Sequence, residues 1–258
     1  MSDPDRLRAL IAPLRTAMVN FDPASVQSAL GGVMAADATV HLCHPFGDLS
    51  GRQELYDVAY APLFNALPDL ERRDWIVSAG TDADGHDWIG CAGHYVGTFT
   101  RPFLDIPQTG HFAHMRFHEF YRVEDSRVVE MQAIWDIPEL MMQAGAWPMV
   151  PSLGREMYIS GPASQDGLFF EARTATQSAQ SLETVIGMLT NLSRHPAEGG
   201  PEIMHAEKYW DPRMNWYGPA GIGTARGVTG FRNWHQIPFL NALPDRRGGT
   251  TGALNCQI

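Results

Sequence analysis

A chain of 258 residues with 44% hydrophobic content is long and apolar enough to bury one large or two ordinary domains, which excludes a disordered class. Its formal charge is −10 and Lys208 is its only lysine, so it has no basic stripe to follow phosphates, and nucleic acid is excluded as a partner.

The first residues mix acids with arginines and lack a long apolar run, and no later segment reaches the ~20 apolar residues of a membrane span. A cytoplasmic protein without signal or span is expected. Leu7, Leu10, Ile11, Leu14 and Met18 recur at spacings of three and four, which predicts an amphipathic helix over 5–19 capped by Ser2 or Asp3. A short helix over 23–30 should end at Gly31-Gly32. A strand over 38–43 runs into His44-Pro45, and a helix over 53–67 is stopped by Pro68. Residues 72–79 and 88–100 are predicted as strands around the turn Thr81–Gly85.

Two alternating runs, 111–123 and 128–137, predict a hairpin, with a helix over 138–144 after it. A three-residue loop at Asp125–Arg127 sets Arg116 opposite Asp136, Arg122 opposite Glu130 and Phe120 opposite Gln132. That register yields two opposite-charge pairs worth roughly 0.2–1 kcal/mol each. One face then carries His114, Arg116, His118, Phe120, Glu130, Gln132, Ile134 and Asp136. The other carries Ala113, Met115, Phe117, Tyr121, Val129, Met131, Ala133 and Trp135, with Glu119 as the one charge on the apolar side.

Residues 147–168, rich in Pro, Gly and Ser, are predicted as a linker. The pattern then restarts: GRQELYDVAYAPLFNALPD at 51–69 and GVTGFRNWHQIPFLNALPD at 227–245 align without a gap at an offset of 176. Upstream, Asp37–Pro45 corresponds to Asp211–Pro219 if the second loop is two residues longer, and a helix over 178–193 with Leu182, Val185, Ile186, Leu189 and Leu192 answers the first helix. This predicts domain 1–146, linker 147–168 and an incomplete second copy at 169–258. Only 13 glycine-rich residues follow Asp245, too few strand formers for four strands. Trp210, Trp216, Tyr217, Phe231 and Trp234 should therefore form an exposed apolar surface, and the fragment 165–258 should be poorly soluble alone.

The motifs His44-Pro45 before a Gly-led helix, Leu67-Pro68-Asp69, Gly97-Thr98-Phe99, Phe103–Gly110, Arg122–Asp125 with Val129-Glu130, and Asp136 before Leu140–Gly145 stand in an order that resembles the SnoaL-like polyketide cyclases of the nuclear transport factor 2-like superfamily. The resemblance spans about residues 5–146 and, partially, 175–245. It implies an α+β fold, a cone-shaped curved antiparallel sheet packed on N-terminal helices around an apolar cavity, with the back of the sheet used for homodimer contact. It also implies metal-free, cofactor-free acid–base chemistry by an aspartate of the last strands and a nearby histidine. Ser126 stands where such hairpins usually have Gly, and Gln132 where they often have Trp.

Removing a proton beside a carbonyl needs a base and a donor for the enolate oxygen. Asp136 is the expected base, buried among Ile134, Phe120 and the helices and held ionised by Arg116; His118, diagonal to it, is the expected proton donor. Against these stand a structural Arg116–Asp136 pair and a sheet histidine that is merely hydrogen-bonded. His114, Arg116, Glu130, Gln132 and Phe120, with His44 and Tyr95, are the expected substrate-binding residues. Cys43, Cys91 and Cys256 form no CxxC pair and predict free thiols. His114 and His118 lie about 13 Å apart on one strand, so a metal site would need His94 or His44 from a neighbour. Three readings remain: a cofactor-free cyclase or isomerase acting on a small, largely apolar carbonyl compound, a small-molecule binding protein without turnover, and an assembly module that dimerises through the Met115–Trp135 face.

Overall fold

Asp3 starts the first helix: its carboxylate accepts the Asp5 N–H at 3.0 Å, and Pro4 occupies a position where no N–H is needed. Helix α1 (Pro4–Val19) buries Leu7, Ile11, Leu14 and Met18, the predicted stripe apart from Leu10, which is half-buried. Helix α2 (Pro23–Val33) is capped by Asp22 and runs through Gly31-Gly32 instead of stopping there. Arg127 explains the difference, because its Nη1 donates to the Gly31 and Gly32 carbonyls at 2.9 and 3.0 Å and satisfies acceptors at the helix end.

The computed structural model describes residues 3–82, 84–162, 167–168 and 174–245. Two compact units result, Met1–Pro148 with Tyr158–Glu171, and Met149–Met157 with Ala172–Ile258. In the first unit the strands are β1 (Met34–Leu42), β2 (Asp48–Ser50), β3 (Glu71–Thr81), β4 (Asp87–Thr98), β5 (Phe112–Glu124) and β6 (Arg127–Trp135), in the order β2-β1-β6-β5-β4-β3. β1 and β6 run parallel, where an antiparallel sheet was predicted. Helices α1 and α2, with α3 (Gly51–Leu55), a π-helical turn (Tyr56–Tyr60) and α4 (Ala61–Ala66), enclose one core with the sheet. Pro62 lacks an N–H and its ring crowds the carbonyl four residues back, and the wider π turn just before it accommodates both. Helix α5 (Ile137–Gln143) follows β6.

The hairpin keeps the predicted register by a different route. Asp125 and Ser126 form a two-residue turn with φ of 48° and 59°, Glu124 pairs with Arg127, and a bulge beyond Val123 restores Arg122 opposite Glu130 and Phe120 opposite Gln132. Val128 is therefore the buried residue in place of Val129. Beyond the end of β6, the Asp136 N–H donates to the Arg116 carbonyl at 2.8 Å.

The face with Ala113, Met115, Phe117, Tyr121 and Trp135 lies in the core beneath this unit's own helices and is not a surface for a dimer. On the opposite, outer face Phe120 is 45% and Ile134 66% exposed, so the expected burial of that whole face does not hold. Part of the predicted linker belongs to the first unit: the Gly167 carbonyl accepts the Val77 N–H at 2.9 Å, and Tyr158 packs its ring 4.6 Å from that of His94.

In the second unit, α6 (Ala175–Arg194) starts with a Thr174–Gln177 capping box, and α7 (Ala206–Tyr209) follows. A hairpin β7 (Asn215–Tyr217) and β8 (Thr224–Arg226) leads into α8 (Gly227–Phe231), a π turn (Arg232–Gln236) and α9 (Ile237–Ala242). Each boundary from β8 to α9 lies 176 positions after its counterpart from β2 to α4. The strand pairing Asn215 with Arg226 likewise answers Thr39 with Ser50, so the extra two-residue loop expected upstream is not needed. Gly51 and Gly227 both have positive φ, and a Cβ there would meet the Ala36 carbonyl at 2.2 Å and the Pro212 carbonyl at 2.9 Å. Phe231 is buried between Trp210 and Trp216, and of the five aromatic residues expected at the surface only Trp234 is exposed. No residue of α6 is buried. Residues 246–258, including Cys256 and the glycine-rich tail, lie outside the described residues.

Candidate functional site

Glu119 faces the core from β5, and four donors converge on its carboxylate. Arg72 Nη1 donates to Oε2 at 2.6 Å and Tyr121 at 2.5 Å; Tyr95 donates to Oε1 at 2.7 Å and Trp135 Nε1 at 2.9 Å. The Arg72 and Glu119 side chains are both fully buried. Burial alone would lower the Arg72 pKa, but Glu119 and Asp74 more than offset it and hold the guanidinium well above its usual range. Asp74, bonded to Arg72 at 3.1 Å, is also bonded to Arg15 of α1 at 2.8 Å, which ties the network to the helical layer.

Aromatic rings fill the space beside this network. Tyr60 of the π turn stacks on Trp135 with centroids 5.7 Å apart, and Phe46, from the loop after β1, meets Trp135 edge-on at 5.6 Å and Phe103 at 6.4 Å. The Tyr60 hydroxyl lies beside those of Tyr95 and Tyr121, but neither meets it in good hydrogen-bond geometry. Burial, followed by the Glu119 charge, raises the pKa of all three phenols, so each is a protonated donor at neutral pH. Tyr60 thus presents a buried hydroxyl donor whose hydrogen has no well-aligned acceptor.

The expected site residues divide between two faces. Tyr95 belongs to the interior network, on the opposite side of the sheet from His114, Arg116 and Phe120, and His44 lies in the loop after β1. His114, Arg116 and His118 are on the outer face, where His118 meets the Trp75 ring edge-on at 6.0 Å and burial, then Arg116, lowers its pKa. Glu130 is bonded to Arg122 and Gln132, each at 2.7 Å, while Gln132 and His44 are exposed. Asp136 is 8% exposed at the N-terminus of α5 and makes no capping bond there with its side chain. Cys43, its neighbour, is bonded through sulfur to the Trp135 backbone, and burial is the main cause of its raised pKa, with Asp136 adding to it.

A second polar cluster occupies the outer face. Beyond the end of β6, α5 takes the place of a strand: Glu139 Oε2 accepts the Arg116 N–H at 2.6 Å, and the Gln143 amide bonds both backbone groups of His114 at 3.0 and 2.7 Å. Glu139 Oε1 is thereby brought 3.2 Å from His114 Nδ1. His94 of β4 accepts the Trp75 indole N–H at Nδ1 over 3.3 Å. Burial foremost, then His114 and Arg116, push its pKa down to about 3.

A sequence model of the SnoaL-like polyketide cyclases matches residues 14–144. The chain belongs to the SnoaL-like polyketide cyclase family. Its first unit has the family's α+β, nuclear transport factor 2-like architecture of a curved sheet on N-terminal helices. Among solved structures it is similar to AclR of Streptomyces galilaeus (19% identity, 57% of this chain and 89% of that one, TM-score 0.46). It is also similar to IdmH of Streptomyces antibioticus (24%, 54% and 97%, TM-score 0.44) and to a SnoaL-like protein of Jannaschia sp. CCS1 (17%, 58% and 100%, TM-score 0.46). No curated protein matches the chain. Among the described residues, no helix is long and apolar enough to cross a membrane.

Within this SnoaL-like unit, sequence reasoning passed over Glu119, Arg72, Tyr60, Tyr121 and Trp135 as candidate functional residues. One signal was present, since a lone carboxylate in an alternating apolar run needs partners once buried. Three of those partners come from β3, β4 and β6, and no local pattern joins them to Glu119; only Tyr121 is its neighbour on β5.

Proposed function

We propose that the first unit is a cofactor-free acid–base enzyme, a cyclase or isomerase, acting on a small, largely apolar carbonyl compound held among Phe46, Tyr60, Phe103 and Trp135. The observation that carries this reading is the Tyr60 hydroxyl, a buried donor without a well-aligned acceptor inside an aromatic enclosure organised by Glu119. A buried ion pair adds little stability compared with apolar packing, so a network of this size suits the orientation of a reacting group. In this reading the substrate displaces Phe46 and Phe103 and its oxygen takes the Tyr60 hydrogen bond. Asp136, which follows Trp135 in the chain and lies close enough to Cys43 for its charge to be felt there, removes the proton from the adjacent carbon. The donor role expected of His118 passes to Tyr60, because His118 lies across the sheet from this enclosure. Glu119 is a poor base here, its lone pairs being already engaged by four donors.

The test is solvent deuterium exchange at the α-carbon of β-tetralone, followed by NMR with the full chain. Wild type should accelerate exchange, Asp136→Asn should lose about 10²–10⁴-fold, Tyr60→Phe about 10²–10³-fold, and His118→Gln should lose nothing. Binding of the ketone without exchange would leave a binding protein of the same fold, and unchanged exchange in Asp136→Asn would remove Asp136 from the mechanism.

The constant offset of 176 and the paired π turns support a second, incomplete SnoaL-like copy after the first. Exposed Phe112, Phe120 and Ile134 support a homodimer through the outer face, and a monomeric mass in dilute solution would refute it. A cytoplasmic location fits the free thiols Cys43 and Cys91.

A further inference from the structure

The outer-face cluster plays no part in the proposed reaction, yet it holds three buried polar atoms that no hydrogen bond satisfies: His94 Nε2, His114 Nδ1 and Glu139 Oε1. His94 is fully buried and Glu139 is 1% exposed, so water outside the fold does not compensate them. One ligand atom from each of the three residues falls within 4.8 Å of the other two. A gap of that size holds a single atom, and bonds of about 2.0–2.2 Å from two imidazole nitrogens and a carboxylate oxygen would span it.

We propose that His94, His114 and Glu139 form a binding site for one divalent transition-metal ion of the zinc type, clamping β4, β5 and α5 together beneath Tyr158. Three protein ligands leave a fourth position for water, the arrangement of an open zinc site. Two imidazoles select zinc, cobalt or nickel over calcium or magnesium, which prefer oxygen donors throughout.

Two neighbours set the character of the site. The Trp75 indole can only donate, so without metal His94 accepts at Nδ1 and carries its hydrogen on Nε2. A metal on Nε2 moves that hydrogen to Nδ1, and the indole must release a bond that is already long at 3.3 Å. No net proton is lost in the exchange, and Trp75 becomes a reporter of occupancy. The Arg116 guanidinium lies 3.8 Å from Glu139 Oε1 and opposes a cation, so it weakens the site without removing a ligand. Tight metal-dependent folding of the zinc-finger kind is therefore not expected.

The experiment uses the full chain, free of any histidine tag and stripped with a chelator, and titrates cobalt(II) chloride and then zinc chloride. Wild type should develop visible ligand-field absorption that saturates at one cobalt per chain and disappears as zinc displaces it. Zinc should also shift the Trp75 indole N–H resonance and raise the melting temperature. His114→Gln and Glu139→Gln, whose amides can keep local hydrogen bonds, should fold without metal and lose all three responses. Asp84→Ala, in the exposed Asp82–Asp84–His86 cluster, should retain them. Wild type without the cobalt bands, or bands and an indole shift that survive both substitutions, would overturn the proposal and leave a shared water between the three atoms.

Discussion

Replacing Glu119 by Gln changes one atom in the fully buried network and keeps its volume. The new amide has one acceptor end and one donor end, while the site offers Arg72 and Tyr121 on one side and Tyr95 and Trp135 on the other. A tyrosine hydroxyl can turn and accept, but neither guanidinium nor indole can. Whichever way the amide turns, either Arg72 or Trp135 is left facing a donor, and an orphaned buried donor costs about 1–3 kcal/mol. The Arg72 charge also loses its closer carboxylate. Breaking a buried pair by removing one partner costs about 3–5 kcal/mol. Asp74, still 3.1 Å from Arg72, keeps the expected loss near the lower end, at about 3 kcal/mol. Against a usual total of about 5–15 kcal/mol, that is a loss visible in any urea titration. Amide hydrogen exchange in β4 and β5 would localise it to the first unit. The double variant Arg72→Met, Glu119→Gln should be no less stable than Glu119→Gln, because the stranded cation is gone. A single variant within about 1 kcal/mol of wild type would mean that Glu119 is not the hub of the interior.

Ser126→Gly should stabilise the chain: a left-handed residue with a side chain costs about 1–2 kcal/mol, glycine gives back about 0.5–1 kcal/mol in entropy, and the lost Arg6–Ser126 bond is exposed. A higher urea midpoint, equivalent to about 0.5–1 kcal/mol, checks it, and a lower one refutes it. In chelator-treated protein, His94 adds a pH dependence. Its unfolded form takes up a proton near pH 6.5 and its folded form only near about 3, so between these values the unfolded state binds the extra proton. Stability should therefore fall as pH drops below 6.5, by about 1.4 kcal/mol per unit from this residue. His94→Gln should flatten the slope measured between pH 5.5 and 4.5, where the unfolded imidazole is almost fully protonated and the folded one is not, by about that amount, and an unchanged slope would contradict it.

Local pattern determined a good deal of this protein. The three-and-four spacing in α1 identified the residues that become its buried stripe. The charges of Arg122 and Glu130 set the hairpin register, and the register held although the turn has two residues and a bulge supplies the third. The offset of 176 was readable because the two segments use the same proline and glycine positions for the same backbone reasons.

Alternation along β5 divides its side chains into two sets, but it cannot say which set the helices will cover. Local polarity made the His114–His118 side look like a pocket and left Glu119 as an anomaly. Tertiary structure reversed the emphasis, because Arg72, Tyr95 and Trp135 arrive at Glu119 from three other strands and, with Tyr121 of its own strand, make a buried charge tolerable. The same holds on the outer side, where α5 carries Glu139 to His114 and β4 carries His94. Burial and partnership are properties of segments distant in sequence that meet only when the sheet closes on its helices, and for that reason the folded chain alone decided where its polar groups could act.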